Sequence, residues 1–164
     1  MNEKEGYILK ILPRKNQLTR PPVANVDQAI IVFAVSKPEI NRVLLDKMIV
    51  LAEVNHIEPV ICINKVDIEK KEILDNLVGV YKKVGYKALA TSVVTGEGLE
   101  ELKEYLKGKI SFFAGPSGVG KSSLINLIQS NIKLNTGELS EKLGRGRHTT
   151  RSVEFLPLDF GGYV

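Results

Sequence analysis

Apolar positions along this chain fall into two patterns, short continuous runs and longer stretches with helical spacing. Residues 29–35 form a continuous, largely β-branched run, which is typical of a strand buried on both faces. Other short runs predict strands at 60–63, 88–91, 110–114 and 153–158. Helical spacing predicts helices at 40–55, 70–84, 99–106 and 121–130. The alternation predicts an α/β fold of three layers, α/β/α, with a mostly parallel sheet.

Two details of this pattern matter later. In the helix predicted at 40–55, the spacing assigns the apolar face to Val43, Leu44, Met48, Leu51 and Ala52. In parallel sheets of this kind, ligands bind beyond the carboxyl ends of the strands. Motifs that directly follow the predicted strands are therefore the candidates for function.

The first 22 residues differ from the rest of the chain. Residues 6–12 predict a short strand, and residues 10–20 carry four basic side chains and no acidic one. Pro21 and Pro22 then stiffen the chain and block a helix. We interpret residues 1–22 as the edge of a neighbouring element plus a linker. The alternative is a frayed basic terminus.

Composition narrows the class of protein. At 164 residues with 43% apolar and 26% charged residues, the chain has the size and composition of one globular domain. A single cysteine excludes an internal disulfide framework and, with two histidines, a Cys-rich structural zinc site. No apolar run approaches the about 18 residues of a membrane span, and the first ten residues lack a signal-peptide core. We expect a cytoplasmic monomer without a membrane partner, and the net charge of +4 is compatible with a nucleic-acid partner.

The strongest motif follows the strand predicted at 110–114 and leads into the helix predicted at 121–130. It matches G-x-x-x-x-G-K-[ST] and comprises Gly115, Pro116, Ser117, Gly118, Val119, Gly120, Lys121 and Ser122. Its glycines let several N–H groups point at one phosphate, and the helix adds its positive end. Lys121 is predicted to reach the β- and γ-phosphates, Ser122 to ligate Mg²⁺, and Ser123 to bond the α-phosphate. An ordinary glycine turn would not need the apolar strand or the lysine.

A second motif follows the strand predicted at 60–63. Asn64, Lys65, Val66 and Asp67 have the N-K-x-D form by which GTPases recognise guanine. The Asp67 carboxylate would accept from both N1–H and the 2-amino group of guanine, whereas adenine offers no such pair of donors. Lys65 can cover the base, and Asn64 can tie this loop to the phosphate loop. The alternative is a solvated turn.

A third segment, residues 91–99, resembles the S-A-x-x-G-x-G-L segment of many GTPases. In those proteins a backbone N–H in this segment contacts guanine O6. The corresponding donor here is Val93, with Ser92 supporting the loop.

The order of these motifs is unusual, because the base-recognition motif precedes the phosphate loop. Ordinary GTPases have the reverse order, so the chain reads as circularly permuted. It resembles the circularly permuted GTPases of small-ribosomal-subunit biogenesis (ribosome small subunit-dependent GTPase A, the YjeQ/YloQ type). The resemblance extends over about residues 13–164 and rests on the segments 20–28, 63–67, 95–99, 115–123 and 144–151.

The resemblance implies a GTP-hydrolysing factor that acts late in small-subunit maturation and contacts the subunit and its rRNA. It also implies three domains. Residues 1–22 would be the remnant of an N-terminal OB-fold strand plus linker, and residues 23–164 a GTPase domain incomplete at its C-terminus. The family's zinc-binding domain, with its zinc, would lie outside this sequence, as would the second switch motif D-T-P-G, expected directly after Val164.

The resemblance further assigns the first switch to the segment before Val153. Thr150, with Thr149 as the alternative, would close over Mg²⁺ and the γ-phosphate, and His148 is a candidate for positioning water or stabilising charge. The basic side chains that are candidates for RNA contact are Arg14, Lys15, Arg20, Lys142, Arg145, Arg147 and Arg151.

Two other functions stay open. Without the second switch, hydrolysis by this stretch alone should be very slow or absent, so the chain could act as a nucleotide-gated rRNA- or ribosome-binding module. A P-loop ATPase is the third reading, in which residues 64–67 would match by accident. Competition between guanine and adenine nucleotides distinguishes it from the others.

Overall fold

A computed structural model describes residues 7–19, 22–129 and 155–164. The strands in these ranges are β1 (Gln17–Leu18), β2 (Val23–Ala24), β3 (Gln28–Ala34), β4 (Glu58–Asn64), β5 (Lys87–Thr91) and β6 (Ser111–Ala114). The helices are α1 (Arg42–Val54), α2 (Lys71–Lys83), α3 (Leu99–Leu106) and α4 (Lys121–Ile128), and a 3₁₀ turn spans Val66–Ile68. The four strands predicted between residues 29 and 114 and all four predicted helices are present, with ends that shift by up to two residues.

The core of the molecule is a four-stranded sheet in the order β5-β4-β3-β6, in which every neighbouring pair is parallel. All seven residues of the central strand β3 are buried, as its continuous apolar run predicts. Alternate side chains pack into two clusters. Ile31 and Phe33 lie with α1 and α2 on one face, whereas Ile30 and Val32 lie with α3 and α4 on the other. The predicted three-layer α/β/α arrangement is thereby confirmed. No helix in the described ranges is long and apolar enough to cross a membrane.

The predicted apolar face of α1 is largely wrong. The buried side chains are Leu45, Ile49 and Ala52, whereas Val43 and Leu51 are more than half exposed. Of the five predicted positions only Ala52 is buried, since Leu44 is 39% exposed and Met48 is partly buried. The helix is apolar on several sides, so helical spacing alone fits more than one stripe. Packing against β3 and β4 selects the stripe at 45, 49 and 52.

The strand predicted at 6–12 is also wrong where it can be compared. Residues 7–12 form no strand, and their side chains are exposed. A strand needs a partner for its backbone, and none of the described residues pairs with this stretch. The pairing starts further along, where β1 and β2 form an antiparallel ladder. Buried Asn16 fastens this ladder to the domain, because its side chain bonds both the N–H and the C=O of Val26.

Residues 155–164 return to the free edge of β6. Tyr163 makes single bridges to Ile110 and Pro157, and the turn predicted at 160–162 is present. Pro157 takes part in a bridge rather than in the predicted continuous strand, of which residues 153 and 154 lie outside the described ranges. The side chain of Gln129, at the end of α4, bonds both the N–H and the carboxylate of Asp159. These bonds hold the segment against the helix that follows the phosphate loop.

Candidate nucleotide-binding site

Three loops meet at the carboxyl edge of the sheet, where ligands bind in folds of this class. The base-recognition loop follows β4, the 92–98 loop follows β5, and the phosphate loop follows β6. These loops carry the three motifs that the sequence singled out. The motifs are far apart along the chain, but the parallel pairing of the strands brings them to the same edge of the sheet.

The phosphate loop adopts a backbone that only glycine fits at two positions. Gly115 has φ +138°, and a Cβ atom there would lie 2.0 Å from the carbonyl oxygen of Val32. Gly120 has φ +99°, and a Cβ atom there would lie 2.3 Å from Nδ2 of Asn64. Helix α4 starts at the next residue, so its first N–H groups open onto the loop. This is the local geometry that binds phosphate groups.

Lys121 stands at the start of α4 with its ammonium group folded back over the loop. Its Nζ donates to the carbonyl oxygens of Gly115 at 2.9 Å and Pro116 at 2.6 Å. Burial lowers the pKa of this lysine below its ordinary value. No carboxylate in the described ranges forms a salt bridge with Lys121. Its charge is therefore available to an anion.

The base-recognition loop is fastened directly to the phosphate loop. Buried Asn64 donates from Nδ2 to the carbonyl oxygen of Val119 at 2.8 Å. Lys65, which has φ +63°, donates from Nζ to the carbonyl oxygens of Gly118, at 2.7 Å, and of Lys37. The bond predicted for Asn64 is thus present. The two loops form one unit at the sheet edge.

Asp67 is oriented by the loop that follows β5. Ser92 is fully buried, and its hydroxyl donates to Oδ1 of Asp67 at 2.5 Å. The hydroxyl oxygen of Ser92 in turn accepts the N–H groups of Val94 and Thr95 at 3.1 Å each. No acceptor within the described residues takes the N–H of Val93. The turn therefore holds the Asp67 carboxylate and leaves the Val93 donor available.

Sequence reasoning missed a buried polar row that leads into this site. The hydroxyl of Thr91 bonds Oδ1 of Asn64 at 3.1 Å, and the thiol of Cys62 lies 3.2 Å from the same hydroxyl. All three side chains have no exposed surface. Thr91 does begin the predicted 91–99 segment, but its contact depends on the register in which Asn64 opposes Thr91 across β4 and β5.

The remaining predicted residues divide into three groups. Val66 and Val119 are buried in the apolar clusters, so only their backbones can reach a ligand, while Ser122 and Ser123 are partly buried in the first turn of α4. Arg14 is exposed, and Lys15 forms a salt bridge of 2.6 Å with Asp27. The third group lies outside the described residues and comprises Arg20, Lys142, Arg145, Arg147, His148, Thr149, Thr150 and Arg151.

Comparison with known proteins places this geometry in a family. A family model described as RsgA GTPase matches residues 11–164. The small ribosomal subunit biogenesis GTPase RsgA of Caldanaerobacter subterraneus is 85% identical over 164 residues, which are 100% of this chain and 56% of that protein. Its counterpart in Thermotoga neapolitana is 54% identical over 97% of this chain and 55% of its own length. The chain therefore spans somewhat more than half the length of these relatives.

Two solved structures share the fold. YjeQ from Thermotoga maritima matches with a TM-score of 0.78 and 46% identity, over 94% of this chain and 51% of that one. YloQ, described as a circularly permuted GTPase, matches with a TM-score of 0.73 and 38% identity, over 99% of this chain and 51% of its own. The motif order that the sequence displays thus has a structural counterpart. Since the family model covers nearly the whole length and one relative is 85% identical, this chain belongs to the RsgA GTPase family.

Proposed function

We propose that the carboxyl edge of the sheet binds GTP and GDP, and that the protein hydrolyses GTP during late maturation of the small ribosomal subunit in the cytoplasm. One observation carries the nucleotide proposal. Asn64 and Lys65 of the base-recognition loop bond the carbonyl oxygens of Val119 and Gly118 in the phosphate loop. A group that reads a base and a cradle that fits phosphates are thereby held in one rigid relation. The names of the relatives support the ribosomal role.

Guanine selection would depend on Asp67. Its carboxylate can accept N1–H and the 2-amino group together, while Ser92 fixes its orientation. Adenine would leave the Asp67 carboxylate without hydrogen-bond donors, and an unpaired polar group of this kind discriminates strongly against the wrong base. The Val93 N–H would donate to guanine O6, and the stem of Lys65 would cover the base plane.

Phosphate binding would combine backbone N–H groups of residues 117–120 with Lys121. Upon binding, the Lys121 ammonium would exchange its two carbonyl acceptors for β- and γ-phosphate oxygens. Mg²⁺ fits the residues present, because its preferred ligands are hydroxyl, water and phosphate oxygens and Ser122 supplies a hydroxyl beside the cradle. The described residues hold no cluster of three or more His, Cys, Asp or Glu side chains that could bind a metal by themselves. When bound, the ion would neutralise charge on the phosphates, with Thr150, or Thr149, as a further ligand.

The hydrolytic and ribosomal parts of the proposal rest on residues outside the described ranges and on the relatives. His148 is the proposed group for positioning water or stabilising charge. The basic residues around it, together with Arg14, Lys15 and Arg20, are the proposed contacts to rRNA phosphates. The zinc that the resemblance implies would belong to a further domain of the family, outside residues 1–164.

A competition experiment tests nucleotide selection. Fluorescent GDP bound to this chain should be displaced by unlabelled GDP, while ATP should require at least about a thousandfold higher concentration. Equal competition by ATP would overturn guanine selection. A chain that binds neither nucleotide would overturn the site itself.

Single-turnover hydrolysis of GTP by a complete protein that carries this segment and the second switch motif, with and without small ribosomal subunits, tests the enzymatic part. Hydrolysis that the subunit stimulates and that His148→Ala abolishes supports the proposal. Normal GTP binding without hydrolysis in either condition would favour the second candidate, a nucleotide-gated ribosome-binding module. Hydrolysis that survives intact in His148→Ala would remove this residue from the mechanism.

A further inference from the structure

A row of buried polar groups connects the interior of the sheet with the phosphate loop. It passes from the thiol of Cys62 to the hydroxyl of Thr91, then to the amide of Asn64, and ends at the carbonyl oxygen of Val119. The three contacts measure 3.2, 3.1 and 2.8 Å, and all three side chains are fully buried. Asn64 is the only member of this row that the recognition motif includes.

The protons of this row have one consistent arrangement. The Val119 carbonyl can only accept, so Asn64 directs its NH₂ group there and its Oδ1 towards Thr91. Because Oδ1 can only accept, the single proton of the Thr91 hydroxyl is used on Asn64. Cys62 must then donate its S–H to Thr91. Burial raises the pKa of this thiol to about 12, which keeps the proton in place.

We propose that Thr91 is a positioning residue for nucleotide retention, acting through Asn64 on the phosphate loop. The hydroxyl of Thr91 holds the Asn64 amide in place by donating to its Oδ1. A reversed amide would bring its oxygen against the Val119 carbonyl, which has no proton to offer. This inference rests on the proposed binding of guanine nucleotide at the carboxyl edge. It adds that the bond from Asn64 to the phosphate loop, which acts beside the bond from Lys65 to Gly118, depends on Thr91.

The close approach of the phosphate loop makes this orientation important. Position 120 disfavours a side chain, because its φ is +99° and a Cβ atom there would lie only 2.3 Å from Nδ2 of Asn64. A displaced amide would therefore disturb both Gly120 and Val119, which belong to the phosphate cradle. Loss of the Thr91 hydroxyl should therefore speed the release of bound nucleotide.

The test compares Thr91→Val with Thr91→Ser in this chain. Valine keeps the shape of threonine and removes its donor, which leaves Oδ1 of Asn64 buried without a partner. GDP should dissociate about tenfold faster from Thr91→Val and within about threefold of the wild-type rate from Thr91→Ser, which keeps the hydroxyl. Cys62→Ala is the matched control, because it removes one member of the row without breaking the Thr91–Asn64 bond. It should change the dissociation rate by no more than about twofold.

A double-mutant cycle with Asn64→Ala distinguishes positioning from a general loss of stability. If Thr91 acts through Asn64, adding Thr91→Val to Asn64→Ala should change the GDP dissociation rate by less than about twofold. Independent effects that multiply in the double variant would overturn the proposal, as would a Thr91→Val chain that releases GDP at the wild-type rate. Should Thr91→Val not fold, Thr91→Ala takes its place in the same cycle. A wild-type chain that binds no GDP would instead overturn the proposed function.

Discussion

The two edges of the central sheet use lysine in opposite ways. At the amino edge, Lys15 pairs with Asp27, and Lys87 and Lys109 both pair with Glu58. At the carboxyl edge, Lys65 and Lys121 donate to backbone carbonyl oxygens, and neither forms a salt bridge within the described ranges. One edge compensates its positive charges, whereas the other orients them and leaves the charge uncompensated.

This difference separates a structural edge from a binding edge. Carbonyl oxygens hold an ammonium group in place without cancelling its full charge, so an arriving phosphate can replace them with a stronger, charge-assisted interaction. Carboxylate partners at the same place would compete with the phosphate. At the amino edge the ion pairs, together with the bond from buried Gln28 to Ser111, join the starts of the strands.

The largest expected effect concerns the backbone of the binding edge. Gly115→Ala should lower the free energy of unfolding by about 4 kcal/mol, because its Cβ atom would lie 2.0 Å from the Val32 carbonyl oxygen. Gly118→Ala is the matched control, since φ is +78° there but no atom lies within 4 Å of the added Cβ. It should cost about 1 kcal/mol. Chemical denaturation measures the free energy of unfolding of both variants. Equal losses of stability would show that the close contact with the Val32 carbonyl is not the reason for glycine at position 115.

The next effect separates the two classes of lysine. Lys121→Met should weaken GDP binding at least about 100-fold, because charge-assisted bonds to phosphate are lost, and should change the unfolding free energy by less than about 1 kcal/mol. Lys109→Met should do the reverse. It should leave GDP binding unchanged and cost about 1 kcal/mol of stability, since Lys109 bonds both Gln28 and Glu58. Calorimetric titration and denaturation measure these quantities, and a Lys109→Met chain with weakened GDP binding would contradict the division.

The smallest effect is the acid sensitivity of the amino edge. Burial alone would raise the pKa of Asp27, but the N–H of Ile110 and the ammonium of Lys15 together lower it below its ordinary value of 3.8. For Glu58, burial also raises the pKa, and Lys87 and Lys109 lower it below its ordinary 4.5. A carboxyl whose pKa is lower in the folded than in the unfolded protein stabilises the fold at any pH above its ordinary pKa. This stabilisation is lost as the pH falls through the pKa of the folded state. Unfolding free energy should therefore decline below about pH 4.5.

A double variant, Asp27→Asn with Glu58→Gln, isolates this contribution. Its unfolding free energy should be lower than that of the wild type at pH 7, and the difference should shrink as the pH falls below the lowered pKa values of the two carboxyls. Denaturation curves collected between pH 7 and acid conditions measure the gap. A gap that stays constant with pH would remove these carboxylates as its source.

Sequence alone predicted the features that depend on local pattern. The strands, the helices after residue 40 and the three loops follow from apolar runs, helical spacing and motif position. The wrong predictions concern features that depend on contacts with residues distant in the sequence. Residues 7–12 find no pairing strand among the described residues, and α1 has apolar residues on several sides, so its buried stripe is set by the strands below it.

The candidate site divides in the same way. The bond from Asn64 to the phosphate loop could be predicted, because Asn64 is part of a recognisable motif and directly follows a predicted strand, which places it at the carboxyl edge of the sheet. The Thr91 contact could not, because it depends on the pairing register of β4 with β5. The hydrogen bonds between Gln129 and Asp159 could not be predicted either, because the two residues are 30 positions apart and only the fold brings them together.

The measurement that tests the account most directly exchanges the base that Asp67 reads. Xanthine carries an oxygen where guanine carries its 2-amino group, so an asparagine at position 67 would donate to that oxygen and still accept from N1–H. Dissociation constants of guanosine and xanthosine diphosphate should therefore favour guanosine by at least about 100-fold in the wild type, and reverse their order in Asp67→Asn. The same order of affinities in both chains would contradict the assignment of this edge as a guanine-nucleotide site.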